Sequence, residues 1–170
     1  MSRFASIVDA ISRVMLLVSG FMITAMMLVV LAEVSTRALF GLTDGSLDLT
    51  FNGGIEIARF ALLFAILYAL PCNVDRSQVV VDLFTNTLSD RSIAVLQSIC
   101  FIGYGLLALA MSYRFWGSVG HSYGSGETTQ DLNIPMFYIY AATLVGTGML
   151  CLRSGLVAVR RIREAIGITS

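Results

Sequence analysis

Residues 92–113, SIAVLQSICFIGYGLLALAMSY, run for 22 positions without an Asp, Glu, Arg, Lys or His. At 1.5 Å per residue a helix of that length covers about 33 Å, enough for the roughly 30 Å hydrocarbon core of a bilayer. Working outward, three further stretches share the property: residues 14–32 (19 residues), 60–74 (15) and 132–152 (21). The second is short, but it reaches spanning length if its helix starts near Gly53 and takes in Glu56 and Arg59. Buried helices of a soluble bundle would carry a polar stripe toward water, and runs such as 21–32 and 60–70 have none. Over the 170 residues, 56% are hydrophobic and only 13% charged, with mean hydropathy +0.82. The expected fold is an all-α membrane protein of four transmembrane helices at approximately 14–36, 53–74, 92–113 and 132–152, forming one integral-membrane domain over 1–170.

The charges lie between these spans. Eleven Arg, no Lys and eleven acids sum to zero, which gives no electrostatic reason to expect nucleic acid. The N-terminus, the second connection and the C-terminus together hold eight Arg against five acids, and the first and third connections three Arg against six acids. Cationic connections stay on the cytoplasmic side, so both termini are expected there. Arg153, Arg160, Arg161 and Arg163 follow the fourth span, where basic side chains meet anionic lipid headgroups. The first span resembles a signal peptide in having Arg3 and Arg13 ahead of it. Its apolar run is too long, and no small-x-small cleavage pattern follows, so retention is expected. Residues 76–91 place Val79, Val80, Val81, Leu83, Phe84 and Leu88 on one side of a helical wheel and Gln78, Asp82, Thr85, Asn86 and Ser89 on the other. That is the pattern of a short helix lying in the membrane interface, with a strand or plain loop as the alternative for its Val-rich start.

Chemistry-bearing patterns are absent. A single histidine, His121, excludes a bis-histidine haem pair from this chain alone. Cys72, Cys100 and Cys151 all fall in spans with no metal-ligand spacing, and are read as small packing residues. No phosphate-cradling loop, HExxH or nucleophile elbow occurs, and residues 117–126, GSVGHSYGSG, read as flexible loop by composition. No enzyme, cofactor or metal site is expected. Glu33 and Arg37 (i,i+4) and Glu56 and Arg59 (i,i+3) are each spaced to meet on one helix face near a span end. Either they neutralise charge where a helix meets the headgroups, or they organise that face for a partner.

Four features resemble the small membrane subunit, DctQ type, of tripartite ATP-independent periplasmic (TRAP) transporters. Arg37 closes the first span, and Glu56, Ala58, Arg59 and Phe60 open the second. Val81, Asp82 and Leu83 form an interfacial segment, and Gly126, Thr129, Leu132, Ile134 and Pro135 lead into the fourth span. The sequence departs from the family pattern at Gln78, Phe51, Ile139 and Leu144. Pro135 also suits the first turn of a helix, where its missing N–H costs nothing, with Asp131 or Asn133 placed to cap.

The resemblance implies a non-catalytic scaffold in a bacterial inner membrane. Its partners would be a large M-type permease subunit, which carries an organic acid with sodium, and a periplasmic solute-binding protein. Small residues Gly103, Gly105, Ala108, Ala142, Gly146 and Gly148 permit close helix contact, within the chain or with the large subunit. Partner-contact or structural candidates on the outer face are Glu33, Arg37, Asp44, Asp48, Glu56, Arg59, Glu127, Thr129, Asp131 and Pro135. Two other classes fit the composition: a membrane anchor for a redox enzyme, and a small exporter coupled through Glu33 or Glu56.

Overall fold

The computed structural model describes residues 2–43, 53–74 and 90–166. They form four helices: α1 (Ser2–Leu42), α2 (Gly54–Asn73), α3 (Asp90–Ser125) and α4 (Met136–Ile166). All four are long and apolar enough to cross a membrane. A helix satisfies its own backbone groups, which hydrocarbon requires because it offers no water to bond them. Their apolar residues lie on all sides: Leu17, Phe21, Ile23 and Leu28 of α1 and Ile99, Leu106, Leu107 and Leu109 of α3 are exposed. That distribution suits an apolar surround, not a water-facing bundle.

Neighbouring contacts define the topology. Ser19 of α1 reaches Ala65 of α2 while Glu33 meets Gly54, so these helices run antiparallel. Ser112 of α3 meets Thr147 of α4 while Gly105 approaches Ser154, which makes a second antiparallel hairpin. Helices α2 and α4 run parallel, with Glu56 beside residues 131–132 and Tyr68 beside Ala142. The α4 helix touches all the others' assemblies: it packs along α3, rests on α2 and touches α1. Its spanning part is 44% buried against 11% for that of α1, so α4 is the hub.

The close α2–α4 crossing rests on Gly146. A Cβ there would lie 2.7 Å from Leu67 Cδ2 and 3.0 Å from Tyr68 Cε1. Gly105 has looser contact, with Ser154 Cβ 3.8 Å away, and nothing lies within 4 Å of a Cβ at Gly103 or Gly148. Of the small residues expected to draw helices together, Gly146 and the fully buried Ala108 do so inside this chain. Interhelical hydroxyls add ties: Ser19 Oγ donates to the Ala65 carbonyl (2.6 Å), and Tyr68 to that of Ala142 (3.1 Å). The Ser112 and Thr147 hydroxyls lie 3.0 Å apart. Such bonds within membranes contribute about 0.6 kcal/mol on average. Apolar packing concentrates toward the end that carries both termini. One cluster joins Val74, Phe101, Ala108, Leu150, Val157 and Ala158, with Cys151 against it, and another joins Val8, Met15 and Met149.

The helices outrun the charge-free stretches. The 41 residues of α1 make a rod of about 60 Å, whereas the 20 of α2 span about 30 Å. Residues 117–125, expected to be flexible loop, instead continue α3 to Ser125. Phe115 lies beside Tyr140 (centroids 6.2 Å apart) and Tyr123 meets Phe137 edge-on (5.7 Å), so packing on α4 outweighs the roughly 1 kcal/mol cost of each glycine. The helix stops where Gly126 takes φ +68° and its N–H bonds the Ser122 carbonyl (3.1 Å). The expected interfacial helix at 76–91 lies, for the most part, outside the described residues, as do Asp44 and Asp48.

Candidate functional site

Most of the singled-out residues that the structure describes meet at the end of the bundle bearing the α1–α2 and α3–α4 connections. The α3–α4 connection is a small hydrogen-bonded ring. Thr128 and Pro135 form an isolated bridge; the Thr129 N–H bonds the Ile134 carbonyl (2.9 Å), and the Ile134 N–H returns to Thr129 Oγ1 (3.0 Å). Asn133 turns the chain at φ +52°, a left-handed conformation that Asn tolerates. Met136, the first residue of α4, donates its N–H to the Glu127 carbonyl (2.9 Å), so this amide of α4 is capped by backbone and not by Asp131 or Asn133. Pro135 immediately precedes the helix, where its missing N–H removes one donor from an end that has too many.

Two amides of this ring are taken by Glu56. Its Oε2 accepts the N–H groups of Asp131 (3.0 Å) and Leu132 (2.9 Å), and the Thr129 hydroxyl and Gln130 N–H face the same carboxylate. Glu56 is 6% exposed. A carboxylate aimed at several N–H donors makes charge-assisted bonds, stronger than neutral ones. The expected partnership of Glu56 with Arg59 is therefore replaced: the carboxylate turns into the loop, and Arg59 remains exposed.

Paired glycines make room for this junction. Gly53 sits at φ +118°, and a Cβ on it would come 2.9 Å from Leu132 Cδ2. A Cβ on Gly54 would collide with Glu33 Oε2. Glu33 thus rests its carboxylate against the first turn of α2, where unpaired N–H groups leave partial positive charge. Its other oxygen pairs with Arg37 at 2.5 Å, as the i,i+4 spacing indicates. Helix α1, the start of α2 and the loop before α4 are locked through two acids. Glu127 lies at the rim, 3.9 Å from His121, while Asp131 and Pro135 are exposed and Thr129 is buried.

At the opposite end, Arg153 of α4 pairs with Asp9 of α1. Arg153, expected among lipid headgroups, is turned inward, while Arg160 is exposed and the side chains of Arg161 and Arg163 lie outside the described residues. Breaking the pair with Arg153→Met is expected to cost about 2 kcal/mol, below the roughly 3–5 kcal/mol of fully buried pairs because Asp9 keeps 35% exposure. Detergent melts of the single variant and of the Asp9→Arg, Arg153→Asp swap check this: recovery in the swap is the expected result.

The sequence reading passed over Gly54 and the amides of residues 131 and 132, took Gly53 only as the start of a span, and counted Asp9 only among the charges of its side. For the glycines a signal existed: a Gly-Gly pair just ahead of a span marks close backbone approach. The arrangement ties the ends of α1 and α2 to the loop before α4. Among the described residues of the loop end, Glu33 and Glu56 are occupied by donors of the same chain, Glu127 and Asp131 are exposed, and no cluster of His, Cys, Asp or Glu has the makings of a metal site.

Comparison with known proteins found no match to a curated protein and none to a solved structure. The family described as tripartite ATP-independent periplasmic transporters, DctQ component, matches residues 26–164. That range takes in the C-terminal part of α1, all of α2 and α3, the Glu56 junction and nearly all of α4. This four-helix membrane chain therefore belongs to the DctQ family, the small permease component of TRAP transporters.

Proposed function

We propose that the chain scaffolds and anchors a large M-type permease subunit during sodium-coupled, binding-protein-dependent uptake of an organic acid. The family match over residues 26–164 carries this reading. The placement of charge supports it. A self-contained ion-coupled carrier needs an ionisable group or a broken helix near the bilayer midplane. Here Glu33, Glu56 and Asp9 are engaged near the two ends of the bundle, in ties between helices or within one. In this reading the exposed apolar faces of α1 and α3 are shared between lipid and the large subunit, which moves against a fixed neighbour.

The Arg distribution supports a bacterial inner-membrane orientation with both termini cytoplasmic. Arg160, Arg161 and Arg163 then meet anionic headgroups, at about 1 kcal/mol for each basic residue. The loop end then faces the periplasm, where Arg37, Arg59, Asp44, Asp48, Glu127 and Asp131 are available to a docking solute-binding protein. The test is uptake into proteoliposomes containing the large subunit with or without this chain, with binding protein outside. Uptake is expected to fall to background without the chain; full-rate uptake by the large subunit alone would overturn the proposal.

A further inference from the structure

An open cleft of about 430 Å³ lies on the α3–α4 hairpin, lined by Tyr113, Arg114, Trp116, His121, Glu127 and Tyr140 among others. It begins where the charge-free stretch 92–113 ends, so it sits at the level where hydrocarbon gives way to headgroups. Tyr and Trp gather at that level because their rings are apolar and their tips polar. Arg114 supplies a cation with no ion-pair partner among the described residues, and Glu127 supplies an acid at the other side. A single surface therefore offers a guanidinium, a carboxylate and aromatic walls.

We propose that this cleft binds the headgroup of a zwitterionic aminophospholipid of the phosphoethanolamine type. Arg114 takes the phosphate, for which its planar fork of donors is suited. Glu127 takes the primary ammonium, which donates hydrogen bonds that a quaternary ammonium lacks. Choline would instead need a closed aromatic cage, and Tyr113 and Trp116 are exposed and do not form one. The acyl chains run down the apolar surface of α3 past Leu106 and Leu109, both exposed.

Trp116 is the chain's single tryptophan, so its fluorescence reports occupancy of the cleft directly. The full chain is placed in nanodiscs of equal parts phosphatidylethanolamine, phosphatidylcholine and phosphatidylglycerol, with one lipid at a time brominated. Native mass spectrometry then records the lipid retained on release. Brominated phosphatidylethanolamine is expected to quench Trp116 most strongly and to be the lipid retained. Arg114→Gln should lower its retention about tenfold, the effect of losing a charge-assisted contact. Glu127→Gln should erase the preference for ethanolamine over choline, and Arg13→Gln, at an exposed arginine at the opposite end of the bundle, should match wild type. Equal quenching by all three lipids, or unchanged retention in Arg114→Gln, overturns the proposal. Displacement of the retained lipid by millimolar inorganic phosphate assigns the cleft to a soluble anion and overturns it as well.

Discussion

Replacing Gly146 with leucine is expected to destabilise the chain by about 3 kcal/mol or more, the upper range for overpacking a filled site. A Cβ at this position would stand 2.7 Å from both Cγ and Cδ2 of Leu67, and the Cγ belongs to the rigid part of a side chain that is itself buried. Tyr68, 3.0 Å away at Cε1, is held by its hydroxyl on the Ala142 carbonyl and cannot swing clear without losing that bond. Helices α2 and α4 must then separate along their crossing. The same change at Gly103 or Gly148, where nothing lies within 4 Å, should be neutral or slightly stabilising, since leucine is the better helix former by several tenths of a kcal/mol. Thermal unfolding in mild detergent compares the three variants, and Leu67→Ala in the Gly146→Leu background should restore part of the loss. Equal stability of the Gly146 and Gly103 variants would refute the close crossing.

Removing the Glu56 carboxylate is the second large effect. In Glu56→Ala the amides of Asp131 and Leu132 lose their acceptor, and the Thr129 hydroxyl loses the carboxylate it faces. The loop ring keeps its internal bonds but is no longer fastened to α2. Hydrogen exchange across residues 126–135 should accelerate roughly tenfold or more, since those amides then open locally without global unfolding. Glu56→Gln retains one acceptor oxygen and should fall between wild type and alanine. Transport separates structure from carriage: in the proposed scaffold, uptake follows the amount of assembled complex. Abolished uptake by a fully assembled Glu56→Gln complex would point to ion coupling at this carboxylate and against the scaffold.

Why four helices were readable and their junctions were not follows from the solvent. A bilayer demands long charge-free runs, so residues 14–32, 60–74, 92–113 and 132–152 announce the spans before any contact is known. The same demand says nothing about where a helix stops outside the hydrocarbon. Residues 117–125 look like loop because glycine is penalised in isolation, yet the Phe115–Tyr140 and Tyr123–Phe137 contacts keep α3 wound. The Glu33–Arg37 pair was legible because both members share one helix. Glu56 was legible as an important residue but its partners were not, because backbone amides at 131 and 132 leave no side-chain signature. Asp9 and Arg153 were read separately as charges of one side, and only the antiparallel course of α1 and α4 brings them together.

The 20-residue α2 carries one further implication. It is fastened to the chain of α4 near both ends, by Glu56 at one and by the Tyr68 hydroxyl and Leu67–Gly146 contact toward the other. A free helix meets a thicker or thinner bilayer by changing its tilt. This one cannot lean alone. Its length of about 30 Å acts as a fixed gauge set into the bundle, and a membrane of a different thickness must pucker around the protein or tip it whole.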